Sequence, residues 1–101
     1  CLMFAVQLDG SVVETIEGAT EARRVEALQI EFVERNALQC GFCTPGFLML
    51  ATAFLRDHPS PSDEEIREAM ASNLCRCTGY QNILRAVRRA ADAVADPAAE
   101  P

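Results

Sequence analysis

Four of the chain's five cysteines stand in two tight pairs, Cys40-Gly41-Phe42-Cys43 and Cys75-Arg76-Cys77, and any fold must accommodate that spacing. Two such pairs imply one four-thiolate site. Residues two apart on a helix point to nearly opposite sides, so Cys75 and Cys77 must occupy a loop to serve one centre. The 31 residues between Cys43 and Cys75 read as two helices joined by a Pro-rich turn, which can fold back and bring the pairs together. Each pair also ends just before an expected helix start, near Thr44 and near Tyr80. Unpaired N–H groups and positive dipole ends at those starts suit an anionic centre. Gly41 and Gly79 allow close backbone approach beside the sulfurs.

Around this stretch the chain divides into segments with distinct patterns. Residues 2 to 17 carry an apolar run, a turn signal at Asp9-Gly10 and the β-branched stretch Val12-Val13-Glu14-Thr15-Ile16, which predicts a β-hairpin. Thr20 caps a first helix over about residues 21 to 37, with Val25, Leu28 and Phe32 as its apolar stripe, widened by Ile30 and Val33. Thr44 as cap and Pro45 at the first turn open a second helix, the most apolar, with Phe47, Leu48, Ala51, Phe54 and Leu55 facing a core. Ser62-Asp63-Glu64-Glu65 is a capping box for a third helix bearing Ile66 and Met70, with Asn73 as its stop. A fourth follows Gly79, where Ile83, Val87, Ala90 and Val94 keep the helical period, and an Ala/Pro tail covers residues 96 to 101. The order helix, cysteine pair, helix occurs twice, which predicts a mainly α fold: a four-helix bundle with two-fold pseudo-symmetry around one centre.

Composition narrows the function. Fifteen acidic residues against nine arginines, with no lysine and a net charge of -6, argue against a nucleic-acid or anionic-membrane partner, both of which need clustered positive charge. The longest apolar run, from Gly46 to Leu55, is half the length of a bilayer crossing. Close cysteine pairs without secretory marks point to metal or redox chemistry in a reducing, cytoplasmic compartment before they point to disulfides. Four thiolates suit a 2Fe-2S cluster or a structural zinc ion equally by ligand type, while zinc sites more often use two C-x2-4-C pairs. A dithiol redox motif is a further reading of Cys40 and Cys43, but such motifs follow a strand rather than a helix.

The strings Gln39-Cys40-Gly41-Phe42-Cys43-Thr44-Pro45-Gly46 and Asn73-Leu74-Cys75-Arg76-Cys77-Thr78-Gly79-Tyr80 resemble the signature of the helical 2Fe-2S domain of the xanthine oxidase family of molybdenum hydroxylases, including small subunits of the carbon monoxide dehydrogenase type. The similarity runs over nearly all of residues 1 to 95. Bacterioferritin-associated ferredoxin has the opposite order of pairs. The resemblance implies a small iron-sulfur subunit, or the corresponding domain, that passes electrons and carries no substrate site or catalytic residue. Its partners would be a molybdopterin-binding large subunit and an FAD-binding medium subunit, and electrons would pass from molybdenum to a second, plant-type 2Fe-2S cluster and on to flavin. By the same resemblance Cys40, Cys43, Cys75 and Cys77 are the metal ligands, and Gln39 and the Cys77 sulfur contact the pterin. Cys1 looks like the fourth ligand of that second cluster, the other three being absent here, so residues 1 to 18 would be the last strands of a truncated ferredoxin-like domain and residues 19 to 95 the helical one.

Other residues admit plainer readings. Phe42 reads as a core aromatic before it reads as a subunit contact, and Met49, Met70, Phe47 and Phe54 are core by spacing. Arg76 is either a solvated arginine or a charge that meets the cluster or a partner. His58 reads as solvated, Arg85, Arg88 and Arg89 as a wet helix face, and Asp63, Glu64, Glu65 and Glu68 as charges that complement a helix start.

Overall fold

The structure, a computed structural model, describes residues 2–18 and 22–95. Four helices dominate it: α1 (Ala22–Glu34), α2 (Thr44–Asp57), α3 (Asp63–Met70) and α4 (Gln81–Ala95). Each helix packs on two neighbours, α1 on α4 and α2, α3 on α4 and α2, with the α1–α4 contact the most extensive. Phe32, Phe47, Leu28, Ile66, Met70, Ile83 and Val87 fill the centre, every helix contributing. On α4, the buried face of Ile83, Ala86, Val87, Ala90 and Ala91 is rich in small side chains that let α1 approach closely.

Helix ends explain where the sequence expectation moves. The first helix stops at Glu34 rather than near residue 37, because Asn36 adopts a left-handed conformation (φ 54°). The Ala37 amide donates to the Phe32 carbonyl (2.8 Å) and the Asn36 amide to that of Val33 (3.2 Å), a Schellman arrangement that buries Ala37. Ile30 and Val33 are exposed, so the apolar stripe is Val25, Leu28 and Phe32 with Ala27 added. The cap of α2 is Cys43, one residue before the expected Thr44, and Pro45 lies in the first turn. The capping box of α3 forms as predicted, with the Glu65 amide on Ser62 Oγ (3.2 Å) and the Ser62 amide on Glu65 Oε1 (2.9 Å). Phe47 and Met70 are buried and Phe54 packs on the core edge, while Met49 is half-buried.

Two further expectations are corrected. Residues 2 to 17 form no hairpin: among the described residues there is no strand, and Ala5–Leu8 and Ile16–Gly18 are short 3-10 turns. Leu2, Met3, Phe4, Val6, Val12 and Val13 are all exposed, so the alternating side chains have no sheet or helix to bury against, and a two-stranded hairpin alone is marginal. Arg88 does not lie on a wet face. It reaches across to the start of α3, with both terminal nitrogens 2.8 Å from the Pro61 carbonyl and one 3.1 Å from Asp63. The expectations for Cys1, for Thr20 as a cap and for the tail from residue 96 lie outside the described residues.

Candidate metal centre

Both cysteine pairs sit in the connections at one end of the bundle, Cys40 and Cys43 between α1 and α2, Cys75 and Cys77 between α3 and α4. Two long-range hydrogen bonds hold these connections side by side: the Gln39 side-chain amide donates to the Cys77 carbonyl (3.2 Å), and that of Asn82 to the Asn36 carbonyl (3.3 Å). Close packing assists. Gly46, in the first turn of α2, lies so near Asn73 that a β-carbon there would come within 2.8 Å of Asn73 Nδ2. Asn73 is in turn held by the Leu74 amide, which donates to its Oδ1 (3.0 Å).

The four thiols meet in two facing pairs, each drawing one sulfur from each connection. Cys77 Sγ lies 3.5 Å from Cys40 Sγ, and Cys43 faces Cys75 closely enough that each thiol shifts the other's proton affinity. Two thiolates on one tetrahedral metal, with metal–sulfur bonds of about 2.3 Å, stand about 3.7 Å apart, so the Cys40–Cys77 separation is that of ligands sharing a metal ion. Among the described residues, no three sulfur, imidazole or carboxylate groups converge on a position for a single metal ion. The donor set, four thiols from two connections lining one pocket, suits a thiolate-ligated metal centre. The sulfurs line a pocket of about 250 Å³ whose other walls are Gln39, Gly41, Phe42, Leu74 and Arg76, so that among the described residues Arg76 is its one charged side chain.

Backbone amides aim at these sulfurs, but they come from the cysteine connections rather than from the first turns of α2 and α4. The Phe42 amide holds Cys40 below the ordinary thiol range, assisted by the Cys77 thiol, and the same contact raises Cys77. Burial and then the Cys75 contact push Cys43 up to about 11. Burial would also raise Cys75, yet the Thr78 hydroxyl, the Thr78 and Cys77 amides and the Cys43 thiol outweigh it and bring Cys75 down to about 7. In each facing pair, one sulfur is thus the better anion and the other the better proton holder.

The connection after Cys77 carries backbone geometry that spacing alone does not reveal. Gly79 and Tyr80 are both left-handed, at φ 70° and 73°, a conformation that a bulky residue such as Tyr rarely adopts. It turns the chain so that the Tyr80 hydroxyl accepts from the Cys75 amide (3.0 Å) while its ring meets Phe47 edge to face at 6.3 Å. Phe42 is no core aromatic: it is 92% exposed, and with Leu74, 78% exposed, it presents apolar surface at the mouth of the pocket. Thr44 Oγ1, beside Cys43 in sequence, is buried without a hydrogen-bond partner among the described residues. His58 is exposed but not free, since it stacks on Phe54 at the end of α2.

A helical bundle with four thiols in two facing pairs at one end defines a thiolate-ligated metal-binding domain. Comparison with known proteins makes the class specific: residues 15–88 match the model of the 2Fe-2S binding domain family, and the chain belongs to that family. It is 49% identical over 96 residues to the nicotinate dehydrogenase small FeS subunit of Eubacterium barkeri, covering 95% of this chain and 61% of that one. It is 52% identical over 87 residues to the nicotine 6-hydroxylase small subunit of Paenarthrobacter nicotinovorans, covering 86% and 52%. Among solved structures it superimposes on quinoline 2-oxidoreductase from Pseudomonas putida 86 with a TM-score of 0.78 at 47% identity, over 92% of this chain and 59% of that one. The chain therefore spans between half and two thirds of these relatives. No helix among the described residues is long and apolar enough to cross a membrane.

Proposed function

We propose that this chain is the electron-carrying 2Fe-2S component of a molybdenum hydroxylase of the xanthine dehydrogenase type, placed between a molybdopterin centre and a second, plant-type 2Fe-2S cluster that leads on to FAD. The observation that carries this reading is the meeting of sulfurs from both connections, with Cys40 and Cys77 3.5 Å apart and Cys43 against Cys75. On this reading Cys40, Cys43, Cys75 and Cys77 would hold the two irons, Cys40 with Cys77 and Cys43 with Cys75. When bound, such a centre stores and releases one electron at a time.

The chain's own residues supply the surroundings. Amides of Phe42, Cys77 and Thr78 donate to the sulfurs, which favours the more negative, reduced state. Gln39 ties the Cys77 carbonyl to the first connection, and its side chain and the Cys77 sulfur are the groups that would face the pterin. Exposed Phe42 and Leu74, with Arg76 between the second pair, form the contact face for the molybdopterin-binding large subunit, and an FAD-binding medium subunit completes the assembly. Helices α1 and α2 with the first pair, and α3 and α4 with the second, form two pseudo-symmetric halves. Residues 1 to 18 belong with a ferredoxin-like domain in which Cys1 is the fourth ligand of the second cluster, residues 19 to 95 are the helical domain, and the complex is cytoplasmic.

Metal analysis of protein isolated without oxygen tests the proposal. Iron and acid-labile sulfide near two each per chain, with visible absorption, are expected. Colourless protein with one zinc would replace the reading with a structural zinc module, and metal-free protein that reduces insulin disulfides would replace it with a thiol oxidoreductase.

A further inference from the structure

The four sulfurs are not equally supported, and the difference centres on Thr78. Its amide lies 3.4 Å from Cys75 Sγ and its hydroxyl oxygen 3.2 Å from the same atom. The hydroxyl's role follows from its other neighbour: the Tyr80 amide donates to Thr78 Oγ1 at 3.1 Å. With a lone pair already engaged, and with a sulfur that as a metal ligand has no proton to give, the Thr78 hydroxyl must be the donor to Cys75. The left-handed pair Gly79 and Tyr80 sets this relay, because it directs the Tyr80 N–H back onto Thr78. Cys75 is also the buried sulfur of the four, where a hydrogen bond is less screened than at exposed Cys40 and Cys77.

Resting on the 2Fe-2S reading above, we propose that Thr78 sets the reduction potential of the centre by donating a hydrogen bond from its hydroxyl to the Cys75 sulfur. One electron enters from a low-potential donor, no bond breaks, Cys75 stays a thiolate and the Thr78 proton stays on oxygen. The bond strengthens as charge accumulates on sulfur, which raises the potential.

The test is a dye-mediated potentiometric titration of the iron-loaded wild-type chain, Thr78→Val and Thr78→Ser, followed by visible absorption. Thr78→Val keeps the shape and the backbone amide but removes the hydroxyl. At a fixed poise its reduced-to-oxidised ratio should fall about tenfold, equivalent to a midpoint lower by about 59 mV for one electron. Thr78→Ser keeps the donor and should stay within about twofold of wild type, a rescue that a purely structural role for the methyl group would not give. Equal midpoints for wild type and Thr78→Val, or equal shifts in both variants, overturn the proposal. If Thr78→Val binds less than half the wild-type iron, Thr78→Ala is titrated in its place with the same tenfold expectation. Loss of iron from both while Thr78→Ser loads fully would assign the hydroxyl to assembly and overturn the proposal as well. A wild-type chain without iron or visible absorption would instead refute the 2Fe-2S reading on which the proposal rests.

Discussion

Replacing Arg88 by methionine removes the clamp between α4 and the start of α3 while keeping most of the methylene packing. Its contacts differ in weight. The pairs with Asp63 (3.1 Å) and Asp92 (3.6 Å) involve mostly exposed carboxylates and are worth about 0–1 kcal/mol. Two guanidinium bonds of 2.8 Å to the Pro61 carbonyl matter more, since Pro61 is buried and the arginine side chain is only 30% exposed. A hydrogen bond from a charged donor contributes about 1.5–3 kcal/mol, and a buried carbonyl left bare carries its own penalty. Partial exposure of the arginine places Arg88→Met at about 2 kcal/mol of lost stability, or about 8–16 °C in Tm for a domain of this size. Arg88→Lys, with one compact donor in place of the fork, should lose about half as much. Arg89→Met alters an exposed neighbour and should stay within about 0.5 kcal/mol. Guanidinium-chloride unfolding of the four proteins under one metal condition provides the assay. An Arg88→Met stability within about 0.5 kcal/mol of wild type, or an equal loss in Arg89→Met, would refute the clamp.

Gly46→Ala adds a β-carbon 2.8 Å from Asn73 Nδ2, so its effect should be less favourable by about 1 kcal/mol with Asn73 present than in an Asn73→Ala background; a double-mutant cycle with no coupling would contradict this. In metal-free protein Cys75 is lowered from 9.0 to about 7, so its stabilising contribution is complete above pH 9 and lost as pH falls through 7. Cys43 is raised from 9.0 to about 11, so its contribution is complete below pH 9 and lost as pH rises through 11. Thermal melts of that form should peak near pH 9, and a monotonic pH dependence would contradict the pairing. Phe42→Ser, at a residue 92% exposed, should leave unfolding within about 0.5 kcal/mol of wild type. A loss above 2 kcal/mol would return Phe42 to the core.

Much of the bundle was legible because its signals are local. The Ser62–Glu65 capping box, the period of Ile83, Val87 and Ala90, and the spacing that forbids a helix at Cys75 and Cys77 each follow from a few neighbouring residues. What escaped depends on distant partners or on unusual backbone. The reach of Arg88 to Pro61 crosses 27 positions, and the bond from Gln39 to Cys77 crosses 38. Asn36, a residue type that favours helix ends, went unread in a helix expected to reach residue 37, and a left-handed tyrosine at position 80 had no local signal, since its conformation is favoured only by what its ring and hydroxyl reach. The hairpin failed for the reverse reason: β-branched residues 12 to 16 satisfy a local pattern, but strands require a surface to cover.

Iron content after anaerobic reconstitution of the four single variants Cys40→Ser, Cys43→Ser, Cys75→Ser and Cys77→Ser, each against wild type, bears most directly on whether both connections feed one centre. The geometry predicts that every one of the four loses most of its iron and visible absorption, whichever connection is altered. Full iron in both variants of one connection would mean that the other connection holds the metal by itself, and the shared site would be wrong.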